Sequence, residues 1–273
     1  MRARSLQQTG LSILLLVLVA LMLYPFYFMM QTSLKDNSQF ALQFWVPAAP
    51  FHPDNYATAF PVIWHYMVNS IVVVGLATLG VIVVATLAAY PFARMRFPGR
   101  EALYYALIAM MMVPTVLTLV PQFILIRNMN LVGSYAGVIL PYIAAGEIIS
   151  IFILRAFFAS LPEELFESAR IDGASDLQVF LRVALPLVRP AVATVAILQV
   201  LLDWNDYVLP LLVLTNDSVK TLVVGLVAFQ TRYTTNWGPL MAGYTIGALP
   251  LLLLFSLGMR QFISGLTAGA LKL

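Results

Sequence analysis

The sequence predicts an all-α membrane protein, with six transmembrane helices and a cytoplasmic helix-turn-helix loop between helices 4 and 5. Three observations lead there. Of 273 residues, 61% are hydrophobic and only 10% charged, and the mean hydropathy is +0.90. A soluble core hides apolar residues, but it does not gather them into repeated uncharged stretches of about twenty. Six predominantly apolar stretches of about that length or longer occur, at about 11–31, 68–92, 103–126, 135–157, 188–213 and 240–263, all within a single transmembrane domain over 1–273. The one long polar interruption, Leu161 to Pro190, carries start and stop signals for two short helices.

Composition also excludes functions. The net charge of +3 comes from cations spread along the loops with no basic run, so they read as topology signals and not as a nucleic-acid surface. Cysteine is absent, which removes disulfides and thiolate chemistry. The first span is longer than a signal-peptide core and no small-residue cleavage site follows it before Gln31, so it reads as a retained anchor. An even number of spans puts both termini on one side. With the termini in the cytoplasm, Arg2, Arg4, Arg94, Arg96, Arg100, Arg155, Arg170, Arg182, Arg189, Arg260 and Lys272 lie inside, and Lys35, Arg127, Lys220 and Arg232 outside. That bias sets the orientation and makes the polar loop cytoplasmic.

Between the first two spans lies an outer segment rich in Pro, Asn and aromatics, where Trp45, Tyr56, Trp64 and Tyr66 read as headgroup-level anchors. Pro91, Pro114, Pro121 and Pro141 interrupt spans 2 to 4, breaks that neighbouring helices or polar side chains must satisfy. Gly75, Ala77, Gly80, Ala85, Ala88 and Ala89 give span 2 a small-residue surface that lets another helix approach. Met110, Met111 and Met112 read as adaptable packing.

In the loop over 158–187, Ser160 and Glu163 predict a capping box, Pro162, Glu163 and Glu164 suit a first turn, and Gly173 marks the stop. Ser175 and Gln178 predict a second box, opening a helix through Leu177, Phe180, Leu181 and Ala184 to Pro186. At 100° per residue Leu165, Phe166 and Ala169 share one side of the first helix, opposite Glu163, Glu167 and Arg170. So short a helix is marginal alone and needs a surface, either its own bundle or another subunit's groove.

The stretch Glu167-Ser168-Ala169, with Asp172-Gly173 following and Leu185-Pro186 closing the loop, resembles the E-A-A, G, L-P signature of permease subunits of binding-protein-dependent ABC importers. Ser168 departs from it, a small residue in place of the second Ala. Further stretches extend the resemblance to maltose-type sugar permeases: Ser33-Leu34-Lys35, Trp45 to Pro47, Asn55 to Phe60, Asn236 to Gly243, and the ending Gly265-Leu266-Thr267-Ala268-Gly269-Ala270-Leu271-Lys272. The resemblance implies that Glu163, Leu165, Phe166, Glu167, Ser168, Ala169, Asp172, Gly173, Leu185 and Pro186 belong to a coupling loop that docks in a cleft of a cytoplasmic ATPase. It also implies partners: a second permease subunit, two ATPase subunits and an extracytoplasmic sugar-binding protein. ATP and Mg are then expected on the ATPases, with no cofactor on this chain. A bacterial or archaeal cytoplasmic (inner) membrane is the implied location. Gly265, Thr267, Gly269 and Lys272 would form a tail contact with the ATPase pair; read bare, the tail is a flexible terminus.

Three acids lie within spans, Glu147 in the fourth and Asp203 and Asp206 in the fifth. Each is expensive in lipid and belongs against a cavity or the bundle interior. On a helix Asp203 and Asp206 share a face, so Asp203, Trp204, Asn205 and Asp206 read as lining or gating a path, or as bonding to neighbouring helices to hold the bundle. Glu147 has no evident basic partner. There is no P-loop, no H-E-x-x-H and no marked nucleophile–base pair, and His52 and His65 both lie in the outer segment, so the chain reads as a transport subunit and not an enzyme. The alternative is an ion-coupled secondary transporter using the intramembrane acids, for which the sequence lacks an evident inverted repeat.

Overall fold

A computed structural model describes residues 2–227 and 235–270, together with their side chains except those of 2–7, 9 and 260–270. The helices are α1 (Arg2–Thr32), α2 (Asn37–Leu42), α3 (Asp54–Arg94), α4 (Arg100–Ala109), α5 (Thr115–Asn128), α6 (Ala136–Ala159), α7 (Glu164–Ile171), α8 (Asp176–Val179), α9 (Leu185–Leu187), α10 (Arg189–Trp204), α11 (Val208–Val213), α12 (Leu222–Leu226) and α13 (Trp237–Ala270). Four are long and apolar enough to cross a membrane alone: α1 from Gly10, α3, α6, and α13 as far as Met259. Two bent pairs raise the number to six if each is one span, α4 with α5 at 100° and α8–α9 with α10 at 73°.

Of the four prolines expected to interrupt spans, only Pro114 does. Val113 before it is extended (φ −82°, ψ 116°), as the clash with a following proline ring favours, and the chain turns there between the 3₁₀ turn Met110–Met112 and α5. Helices run on through Pro91, Pro121 and Pro141, since one missing N–H is tolerated where neighbouring helices pack around it. Met110, Met111 and Met112 are all exposed at the bend instead of buried in packing. At the second bend Val188 leaves helical geometry (φ −95°, ψ 8°), and Pro190 falls in the first turn of α10, where no helix bond is lost. Before it, Phe180–Ala184 forms a π-helical turn, which eases the ring of Pro186 past the carbonyl four residues back.

The chain forms two compact units, one of Met1–His65 with Leu226–Leu249 and the other of Tyr66–Gly225 with Pro250–Leu273. In the first, three stretches distant in sequence interlock. The Asn55 amide donates to the carbonyls of Ser33 (2.9 Å) and Lys35 (2.8 Å), and Lys35, fully buried, donates to the Gln43 carbonyl at 2.6 Å. Trp237 stacks on Phe40 at 4.7 Å and donates its backbone N–H to Asn37. Gly238 lies where any Cβ would strike the Lys35 carbonyl and the Asn55 amide. Ser33–Lys35, Asn55 and Trp237-Gly238 are thus one joint. Tyr56 bonds Ser33 through its hydroxyl at 2.7 Å and is half-buried, while Trp45 and Trp64 are exposed.

Tyr66, in the second unit, is buried and donates to Asp217 at 2.8 Å, so it is no anchor. The core of that unit gathers Val81, Ala85, Ala89 and Tyr90 of α3, Leu154 and Phe158 of α6, and Val195 of α10. Small residues on α3 permit it: Ala77, Ala85 and Ala89 are fully buried, and a Cβ at Gly80 would strike Ile143 of α6. Gly75 faces open space and takes no part.

Candidate functional site

The polar loop after α6 folds as two short helical pieces about a glycine turn. α7 ends in a Schellman motif: the Gly173 N–H donates to the Arg170 carbonyl and the Ala174 N–H to the Ala169 carbonyl, each at 3.0 Å. Gly173 has φ +81°, a conformation that disfavours any side chain although the space around it is open. Ser175 and Gln178 form the expected reciprocal capping box at the start of α8. The box expected of Ser160 and Glu163 does not form. Ser160 ends α6 with its hydroxyl donating to the Phe157 carbonyl, and the Glu163 carboxylate accepts from Arg94 at 2.7 Å instead of turning back to a backbone N–H. An ion pair with a nearly buried guanidinium outcompetes a solvated cap.

One side of the loop is anchored. Phe166 is buried against Tyr90 and roofed by Arg94, whose guanidinium lies 4.3 Å from its ring centre; Ala169, Val183 and Leu185 are partly buried on the same core, beside buried Val179 and Phe180. The other side is exposed and carries apolar side chains among its charged ones. Leu165 is 39% exposed and Ile171 85%, with Leu177 and Leu181 also more than half exposed. Leu165 therefore does not share the buried side with Phe166 and Ala169 as helical phase predicts, because α7 meets its own core along a stripe only as wide as those two residues. Glu167, Ser168 and Asp172 are exposed, and Ser168 bonds back to the Leu165 carbonyl at 3.1 Å. Pro186 is half-buried in α9. Sequence reasoning missed Ile171 and Arg94. An isoleucine on the polar side of an amphipathic helix was a legible signal, whereas Arg94 carried no signal beyond its charge.

The second cluster lies at the end of α10. Asp203 and Trp204 are buried, and both Asp203 oxygens accept from Gln199 one turn earlier at 2.9 Å. The helix stops at Trp204, so Asp206 lies beyond it and the two acids do not share a continuous helical face. The stop is local: Asn205 turns its amide back to the Leu201 carbonyl (2.7 Å), and Asp206 accepts from the Val208 N–H (3.0 Å), opening α11. Asp206 also accepts from the Tyr142 hydroxyl of α6 at 2.9 Å. On α6 the neighbouring Gly146 is packed so that a Cβ would strike Gln199 and Val81. Glu147 beside it buries both carboxylate oxygens without a hydrogen bond. The arrangement joins α6 to the α10–α11 break through a tyrosine–carboxylate bond.

At the far end α13 continues to Ala270, so the backbone at Gly265, Thr267 and Gly269 is helical and not the loose terminus that composition predicts. The side chains of these residues, and Lys272 altogether, lie outside the described residues, as does Arg232. No group of three or more His, Asp or Glu able to hold a metal occurs among the described residues.

Long apolar helices with proline-centred bends and a short amphipathic helix held at their ends define a polytopic membrane permease. The chain belongs to the family of binding-protein-dependent transport system inner membrane components, whose model matches residues 81–267. It is 31% identical to the arabinooligosaccharides transport system permease protein AraQ of Bacillus subtilis, over 98% of this chain and 97% of that one. It is also 31% identical to the melibiose/raffinose/stachyose import permease protein MelC of the same organism, over the full length of both. In fold it resembles a chain of a bacterial ABC transporter that imports the acidic polysaccharide alginate, with a TM-score of 0.83 at 20% identity, covering 96% and 98% of the two chains. Members of this family are transport components, and the chain is not itself an enzyme.

Proposed function

We propose that this chain is the membrane-spanning subunit of an ATP-driven sugar importer, forming half of the translocation pathway and taking its energy through the loop from α7 to α9. The single observation that carries the reading is the two-sided loop. Phe166, Val179 and Phe180 fix it to the bundle while Leu165, Ile171, Leu177 and Leu181 are exposed, apolar side chains of the kind a partner's groove covers. On this reading α4 with α5 is one span and α10, entered from the loop across its 73° bend, is another, giving six with α1, α3, α6 and α13; both termini and the loop lie in the cytoplasm and the chain in a bacterial or archaeal inner membrane. A second permease completes the path, two ATPases hold ATP and Mg beneath it, and an extracytoplasmic binding protein delivers the sugar. The names of the relatives, which import oligosaccharides, support a sugar as cargo. Closure of the ATPases pulls α7, and the bundle changes the side to which it opens.

Co-purification from native membranes tests this. Wild type brings down an ATPase; Ile171→Asp, which places a charge in the exposed apolar surface without touching the core, loses it. Retention of the ATPase by the variant, or its absence from wild type together with uptake that follows an ion gradient, would sink the proposal in favour of ion coupling through the intramembrane acids.

A further inference from the structure

Two arginines exchange places across the cytoplasm-directed ends of α3 and α6. Arg94, the last residue of α3, donates Nε to the Phe158 carbonyl at the end of α6 at 2.9 Å. Arg155 of α6 donates Nε to the Phe92 carbonyl at the end of α3 at 3.2 Å. Each thereby serves carbonyls that a helix end leaves without in-helix partners, and each brings a cation to the negative end of the other helix's dipole. The remaining donors reach further. Arg94 spans to the Leu161 carbonyl and to Glu163 at 2.7 Å, with Phe166 beneath its guanidinium. Arg155 grips both oxygens of Glu101 at 3.0 Å and lies 3.7 Å over Tyr104 of α4.

We propose that Arg94 and Arg155 form a reciprocal clasp that makes the coupling helix α7 move as one body with α3, α4 and α6, so that a displacement at the ATPase reaches the membrane helices undiminished. The inference rests on the coupling reading above. Its geometry requires arginine. Arg94 uses three separate nitrogens on three acceptors of two segments, the Phe158 and Leu161 carbonyls and the Glu163 carboxylate, and a lysine ammonium in its place keeps the charge toward Glu163 but cannot span both carbonyls. Phe166 is bound twice over, by its burial in the core and by the cation above it, so α7 cannot rotate on its own axis without breaking the clasp. Arg94 and Arg155 are positioning residues, acting through the helices they tie together.

The test uses the whole importer complex in proteoliposomes with its binding protein and sugar, reading ATP hydrolysed per sugar taken up. In Arg94→Lys the ratio rises roughly tenfold while the ATPase still co-purifies, the size expected of an element that carries coupling and not assembly. Arg155→Lys shifts it in the same direction, which keeps the idea testable if one variant is poorly inserted. A wild-type ratio in both lysine variants would overturn the clasp, and so would loss of the ATPase from both, since the arginines would then only shape the docking surface. Failure of the underlying docking reading shows separately, in an Ile171→Asp complex that keeps its ATPase.

Discussion

Asp206 illustrates how a charged residue at a break between apolar helices is put to use. It accepts from Tyr142 across to α6 and caps Val208 on its own strand of chain, so it sits at the one place where the helix from Arg189 gives way to the helix from Val208. Asn in its place is nearly isosteric: its single amide oxygen still accepts from the Val208 N–H, its NH2 group can donate to the Tyr142 hydroxyl, and the charge is removed. Asp206→Asn therefore separates two roles. A pathway or gate that needs the carboxylate slows uptake about fivefold or more, as expected when a charged hydrogen bond weakens to a neutral one by about 1 kcal/mol, while the protein assembles normally. Wild-type uptake in that variant would leave Asp206 as a bundle tie alone. Glu147, by contrast, buries a carboxylate that accepts no hydrogen bond from the described residues. None of these partnerships was legible in sequence, because Tyr142 and Asp206 are 64 positions apart and Arg94 and Glu163 are 69. Sequence supplies the costly residue; only the fold supplies what offsets it.

At the scale of elements, local signals were reliable where a residue type answers a local need and failed where two needs compete for one residue. Gly173 takes a positive φ at the end of α7, and Ser175 with Gln178 closes a capping box; each follows from chemistry within four residues. Ser160 could end one helix or begin the next, and the carbonyl of Phe157 settled it. Prolines misled in the same way, since only Pro114 combines with an extended predecessor to turn the chain. The box on α8 makes a quantitative case. Ser175→Ala removes the cap and costs about 1 kcal/mol of local stability, so amide exchange in 176–179 quickens about fivefold while α6 and α10 keep their protection. Unchanged exchange there would mean that the buried Val179 and Phe180 alone hold α8 in place. A four-residue helix needs both supports because it is far below the length at which helices stand unaided.

For the whole molecule, the all-helical membrane class was legible from the spacing of apolar runs, since each helix in lipid must satisfy its own backbone. The joint of Ser33–Lys35, Asn55 and Trp237-Gly238 was not, although all of its residues stood out as a resemblance before their contact gave the reason: Gly238 admits the Lys35 carbonyl only because it has no side chain. The exposed quartet of Leu165, Ile171, Leu177 and Leu181 has a meaning for the subunit before it ever transports anything. If the loop couples to an ATPase as proposed, a copy synthesised without its partners shows these side chains to the cytosol, where quality-control proteases and chaperones act on exposed apolar segments. Expressed alone, the subunit should be cleared several-fold faster than when made with its ATPase, as read by pulse-chase, and Ile171→Asn with Leu177→Gln should lengthen the lifetime of the solitary chain while shortening that of the assembled one. Equal lifetimes with and without the ATPase would show that the quartet is not what the cell inspects. If the lifetimes do differ, the surface that would receive the power stroke is also a timer, and subunit ratios in the membrane are corrected by destruction of the surplus.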